Sequence, residues 1–214
     1  MALDPTKDED IEKEIRMDKL ENFWNTYKWI IAIVVLIVIV AFGAFQYSKI
    51  SAKKSGEAAS QIYQDIITIN IDNIEMIRSG VIKLKDNHAD TPYSSRGAIL
   101  LSRSLASKNL NDEAITELIW AADNSVENSI QSLALYSLSN MYLVSENLED
   151  AMIAANRIST PGYIGLKNDL LGDIYIANND KEKARISYDA ALNFYQNKSE
   201  LAKVIQTKID AISQ

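Results

Sequence analysis

The chain has no cysteine, one histidine, three prolines and seven glycines among its 214 residues. Without cysteine there is no disulfide, no thiolate metal site and no thiol nucleophile, although such a chain tolerates any redox compartment. His88 is the lone imidazole, so His-rich metal sites are excluded and any Ser–His relay would rest on it alone. It lies in the polar run Lys85-Asp86-Asn87-His88-Ala89-Asp90, where a solvated loop residue is expected. Phosphate-loop, H-E-x-x-H and EF-hand patterns are missing. Paired acids, such as Glu12 with Glu14 or Asp112 with Glu113, fall in the N-terminal tail or at helix starts, where carboxylates complement the helix dipole. The sequence points away from an enzyme: no catalytic residue, cofactor, metal or small-molecule substrate is expected. Basic residues are also too few for a nucleic-acid partner, 22 against 29 acids, for a net charge of -7.

Scarce glycine and proline, with abundant Ala, Leu, Ile, Asn and Lys, predict helices joined by short loops. One run is apolar all round: Trp29 to Ser48, WIIAIVVLIVIVAFGAFQYS, uncharged and set between Lys28 and Lys49. At about 1.5 Å of rise per residue it matches the hydrocarbon core of a bilayer, and Trp24, Tyr27, Trp29 and Tyr47 flank it as interfacial rings. A cleavable signal would have a shorter apolar region behind a basic start, whereas eight acids and five bases precede this one. An uncleaved single-span anchor is expected. Lys13, Arg16, Lys19 and Lys28 before it, against Lys49, Lys53 and Lys54 after it, leave its orientation open.

Beyond the anchor, apolar residues recur at helical spacing with breaks near 70–72, 86–91, 108–111, 123–128, 146–147, 160–162, 178–180 and 197–199, predicting about nine helices. Thr91 is placed to cap a helix opening at Pro92, and Asn111, Asn147 and Asp180 to cap the second helix of three successive pairs. Those pairs repeat. Ala114, Ala151 and Ala184 fall in register 37 and then 33 residues apart, close to the tetratricopeptide period of about 34. The third copy is the clearest, with Leu171-Gly172, Tyr175, Ala184, Tyr188 and Ala191. The second keeps Leu138, Ser139, Tyr142 and Ala151, and the first Leu101, Ser102, Leu105, Ala114, Leu118 and Ala121. The expected fold class is all-α: a single N-terminal transmembrane helix followed by an α-solenoid of tetratricopeptide-like hairpins. The expected division is an acidic tail over 1–28, the anchor over 29–48, a linker and degenerate helix pair over 49–90, repeats over 91–197, and a capping helix over 198–214.

Arrays of this kind bind proteins along the surface formed by the first helix of each pair. The motif register puts Arg96, Ile99 and Arg103 there from the first copy, Tyr136, Asn140 and Leu143 from the second, and Leu166, Asp169, Asp173 and Ile176 from the third. Two Arg at one end and two Asp at the other suit an extended peptide.

The tail, anchor, juxtamembrane Lys49, Lys53 and Lys54, and degenerate repeats together resemble the bacterial YfgM family, ancillary subunits of the SecYEG translocon. The resemblance rests further on Thr91-Pro92-Tyr93, on Lys108-Asn109-Leu110-Asn111-Asp112-Glu113-Ala114, on Gly162-Tyr163, on Leu171-Gly172-Asp173 and on Lys181-Glu182-Lys183-Ala184-Arg185. It implies a single-pass protein of the inner membrane, with a cytoplasmic N-terminus and a periplasmic repeat domain. As partners it implies the SecYEG translocon and a membrane-anchored periplasmic chaperone, with handover of newly translocated proteins as the function. A membrane-tethered scaffold for a cell-envelope or division complex is the other reading these residues leave open. The N-terminal tail is longer and more acidic than the family's.

Overall fold

The computed structural model describes residues 5–195 and 200–212, with side chains at Lys13 and from Arg16 onward. The break expected near 197–199 lies outside the described residues. Two compact units are present, Met1–Lys53 and Lys54–Gln214.

Helix α1 runs Pro5–Ile67 and carries the apolar stretch, whose side chains are exposed, Leu36, Ile37 and Val38 at 60–61% among them. It is the one helix among the described residues long and apolar enough to cross a membrane. The sequence reading separates the anchor over 29–48 from a linker and helix pair over 49–90, but the helix continues from the one into the other without a break, Gly56 included. A lone glycine costs a helix only about 1 kcal/mol, and the surrounding Lys53, Lys54, Glu57 and Ala58 are good helix formers.

In the second unit the end of α1 is followed by α2 (Ile74–Asn87), α3 (Pro92–Ala106), α4 (Asn111–Asn124), α5 (Asn128–Val144), α6 (Leu148–Arg157), α7 (Ile164–Ala177), α8 (Lys181–Phe194) and α9 (Glu200–Ile212). A short 3-10 turn, Pro161–Tyr163, leads into α7. The all-α class with tetratricopeptide-like hairpins holds, the hairpins being α3–α4, α5–α6 and α7–α8.

The backbone repeats in the same register as the alanines. Asn109, Glu146 and Asn179 close the three hairpins in the left-handed region, at φ of 60°, 60° and 59°. One residue later the Leu110, Asn147 and Asp180 amides donate to the Leu105, Tyr142 and Tyr175 carbonyls at 3.0, 2.9 and 2.8 Å. The amides of Ala114, Ala151 and Ala184 then donate to the carbonyls of Leu110, Asn147 and Asp180, each at 3.0 Å. The cap of α4 is therefore Leu110, and Asn111 is the helix's first residue rather than its cap. Asn147 and Asp180 do cap, accepting from the Asp150 and Lys183 amides at 3.4 and 3.1 Å, whereas the first copy has a side chain that cannot. Thr91 precedes Pro92 as expected, but its hydroxyl donates to the His88 carbonyl at 2.8 Å instead of capping.

Ala114, Ala151 and Ala184 are each 0% exposed. At the small-residue position of the first helix, the Ser139 hydroxyl donates across its hairpin to the Ala151 carbonyl at 2.7 Å. In the next copy Gly172 takes that place, and any Cβ there would overlap the Tyr188 ring. Before the repeats, Ala59 and Ile66 of α1 join Ile77, Val81 and Leu84 of α2 in one core with Ala98, Leu101 and Leu105 of α3. His88 departs from the solvated loop expected of it: it is half-buried, with its Nδ1 2.9 Å from the Ser55 hydroxyl of α1.

Glu146 is the exposed side chain that holds a left-handed conformation where the other two copies use asparagine. A left-handed conformation costs most side chains about 1–2 kcal/mol, and asparagine less. Glu146→Asn is expected to stabilise the domain by about 0.5–1 kcal/mol and raise the melting temperature by about 1–4 °C. Thermal denaturation of the detergent-solubilised chain, followed by circular dichroism, reads this; a lower midpoint would reject the turn assignment.

Candidate partner-binding groove

Arg96, Ile99 and Arg103 share one face of α3, and Leu133, Tyr136 and Asn140 stand at the equivalent positions of α5. Between the two helices lies a depression of about 290 Å³, walled by Ile99, Arg103, Tyr136 and Asn140 and floored by Ser102, Ala106, Leu118 and Met141. It continues at one end into a recess of about 140 Å³ that adds Tyr63, Arg96, Leu100 and Leu133. At the other end a recess of about 350 Å³ adds Asn109, Asn111, Val144 and Ser145. Shared lining residues make these one trough along the α3–α5 seam.

Five of the residues picked from the motif register, Arg96, Ile99, Arg103, Tyr136 and Asn140, thus lie together. The others lie apart from the trough. Leu143 is half-buried against Ala151, Ala155, Leu170 and Ile174. Leu166 is half-buried in α7, and Ile176 is 37% exposed near that helix's end. Asp169 and Asp173 are paired within the chain: Lys208 Nζ lies 2.8 Å from Asp169 Oδ1 and 2.8 and 2.9 Å from the two Asp173 oxygens. The Tyr188 hydroxyl also donates to Asp173, at 2.7 Å, and Lys208 sits 5.4 Å from the Tyr188 ring centre.

Residues that sequence reasoning missed are Ser102, Ala106, Met141 and Leu133 from the repeats, and Tyr63 from α1. Leu133 was findable, being 37 residues beyond Arg96 and so its equivalent. Tyr63 precedes the repeats and no motif points to it.

The charges in the trough differ in their partners. Arg96 Nη2 is 3.3 Å from Glu127 Oε2 and its guanidinium lies 5.7 Å from the Tyr93 ring centre. Arg103 is exposed and has no hydrogen bond or ion pair from its side chain among the described residues. Asn140 donates to the Tyr136 carbonyl at 2.8 Å. At α7, burial pushes the Asp169 carboxyl up, the nearby Lys208 only partly offsetting it. Burial works to lower Lys208, but its bonds to Asp169 and Asp173 outweigh that and hold it above its ordinary value. Burial, followed by the Asp173 carboxylate, raises the Tyr188 phenol.

Stacked helix hairpins with a trough between two first helices, carried on a chain whose helix α1 is long and apolar enough to cross a membrane, define a helical-repeat protein fit for membrane association. The family described as tetratricopeptide repeat-like domain matches residues 21–214, and the chain belongs to it. A protein of Neisseria gonorrhoeae is 22% identical over 204 residues, 94% of this chain and 98% of its own length. One of Aggregatibacter actinomycetemcomitans is 25% identical over 85% of this chain and 89% of its own length. One of Haemophilus influenzae is 22% identical over the same shares. All three are named ancillary SecYEG translocon subunits, so the resemblance read from the sequence holds along most of the chain.

The Lys208 cluster sets a pH dependence. Both raised groups favour the folded state when protonated. Asp169 contributes fully below its unfolded value and loses that contribution as pH rises through its raised folded value. Lys208 contributes below 10.5 and loses it as pH rises through its folded value. Lys208→Met leaves two carboxylates facing each other and is expected to cost about 2 kcal/mol at neutral pH, less than a fully buried pair because these groups are partly exposed. The deficit should shrink as acid protonates the Asp169 carboxyl. Hydrogen exchange of the α9 amides measures it, and protection that is unchanged by the substitution at neutral pH would refute the coupling.

Proposed function

We propose that this protein is a membrane-anchored ancillary subunit of a SecYEG-type translocon, with its N-terminus cytoplasmic and its repeat domain periplasmic. In this reading the α3–α5 trough holds extended segments of newly translocated proteins, which pass onward to a membrane-anchored periplasmic chaperone. The observation that carries it is alignment over 85–94% of this chain and 89–98% of the relatives' own length with proteins named ancillary SecYEG translocon subunits. Orientation and the chaperone partner follow from the family resemblance rather than from charge counting. A helical-repeat domain with a mixed polar and apolar trough fits a non-catalytic, protein-binding role.

Two measurements test it. Single cysteines replacing Asp10 and the exposed Glu182 can be probed with a membrane-impermeant thiol reagent on cells with a permeabilised outer membrane. Labelling at Glu182 alone is expected, and labelling at Asp10 alone would reverse the topology. A photo-crosslinking amino acid at Ser137, in the trough, should capture a stalled translocation intermediate, whereas one at Ile186 of α8, 64% exposed, should not. Equal capture from both positions would remove the trough from the mechanism.

A further inference from the structure

Resting on the reading that the trough holds extended protein segments, we infer that it selects those in which a carboxylate stands close to a large apolar side chain. The carboxylate pairs with Arg103, and the apolar side chain enters the depression beside Tyr136 and Met141. Charge complementarity carries the inference. The chain has a net charge of -7, yet among the described residues those lining the three joined recesses include Arg96 and Arg103 and no Asp or Glu. Recesses elsewhere on the domain mix the signs, with Glu149 beside Arg157 in one and Glu75 beside Arg78 and Lys83 in another. Arg96 already has Glu127 for company, which leaves Arg103 as the cation a ligand can neutralise.

The register sharpens this. Arg103, Asn140 and Asp173 are equivalent positions, so the first helices run from cation through neutral amide to anion. At the anionic end Lys208 is already seated on the carboxylates. At the cationic end no carboxylate among the described residues pairs with Arg103, and the apolar floor of Ala106, Leu118 and Met141 lies beside it. A polyanion such as nucleic acid would gain from Arg103 too, but it would meet a net negative chain and leave that floor unused. A protein segment satisfies both.

The test uses the full chain in zwitterionic nanodiscs and three fluorescent Gly/Ser peptides, bearing Leu with Glu, Leu with Lys, or Ser with Glu. Fluorescence polarisation at low salt should show the Leu/Glu peptide binding about tenfold more tightly than either of the others. Arg103→Glu should invert the Glu-over-Lys preference, and Arg103→Gln should abolish it without inversion, with helix content of both variants checked by circular dichroism. If the preference survives in both folded variants, the inference is overturned. Its failure is separable from that of the trough reading by Ala106→Trp, which fills the depression. Weakening of all peptides alike by Ala106→Trp, with no charge preference, retires the Arg103 selectivity and keeps the trough. Indifference to Ala106→Trp retires both. Displacement of the Leu/Glu peptide by anionic lipid vesicles but not by unlabelled peptide would make Arg103 a lipid contact and also overturn the inference.

Discussion

Ala114, Ala151 and Ala184 have no exposed surface, and the rest of the domain depends on the contact each makes where the second helix of a hairpin crosses the first. A larger side chain there would hold the helices apart, since interiors packed near crystal density have no slack to absorb it. Helices held apart could not be joined by a turn with one left-handed residue. The hydrogen bonds from Leu110, Asn147 and Asp180 back to Leu105, Tyr142 and Tyr175 would then be lost together. Because the three hairpins meet this condition at matched positions, they present equivalent faces to one another and stack. The α3–α5 trough is one product of that stacking: two equivalent faces, Ile99 with Arg103 and Tyr136 with Asn140, brought side by side over Ser102, Ala106, Leu118 and Met141.

Charge is distributed accordingly. The second helices are linked by ion pairs between hairpins, Arg78 to Glu113 at 2.7 Å, Lys85 to Glu117 at 2.5 Å and Arg157 to Asp123 at 2.6 Å. The Arg78–Glu113 and Arg157–Asp123 pairs are the more exposed and add about 0–1 kcal/mol each, so their consequence is alignment of neighbouring hairpins rather than strength, whereas Lys85 and Glu117 are mostly buried, 18% and 15% exposed. The trough lies on first helices, where equivalent positions carry Arg, Asn and Asp in turn, and there the charges remain local.

The repeats were legible because their requirements are residue types at fixed offsets. Small residues at the crossing, an aromatic or leucine nine positions earlier, and polar residues at the turn all show in the sequence. What the register could not show was where neighbouring elements intrude. Asn111 looked like a cap because it is polar and stands before a helix, but the repeat places the cap at Leu110. Continuity of α1 past Gly56 was hidden because linker and helix compositions are alike there. The same motif step that grouped Arg96, Ile99, Arg103, Tyr136 and Asn140 also selected Asp169 and Asp173. Their partner Lys208 lies 39 and 35 residues further on, in a helix after the last motif, where no spacing rule connects them.

The dimensions of the trough bear on how it would be used. At about 290 Å³ its central depression is at the small end of ligand pockets, enough for one large side chain. Burying such a side chain yields about 1.5–3 kcal/mol, and an exposed Arg–carboxylate pair adds about 0–1 kcal/mol. Ordering an extended segment costs a comparable amount, so on the proposed reading contact through the trough alone would be weak and short-lived. A membrane-length helix on the same chain changes the balance, because tethering raises the effective concentration of a nearby partner to about the millimolar range without any new contact. Weak binding then suffices for occupancy near the membrane and still permits release. On the proposed reading, in which what is held must be let go, a shallow trough on a tether serves better than a deep pocket in solution.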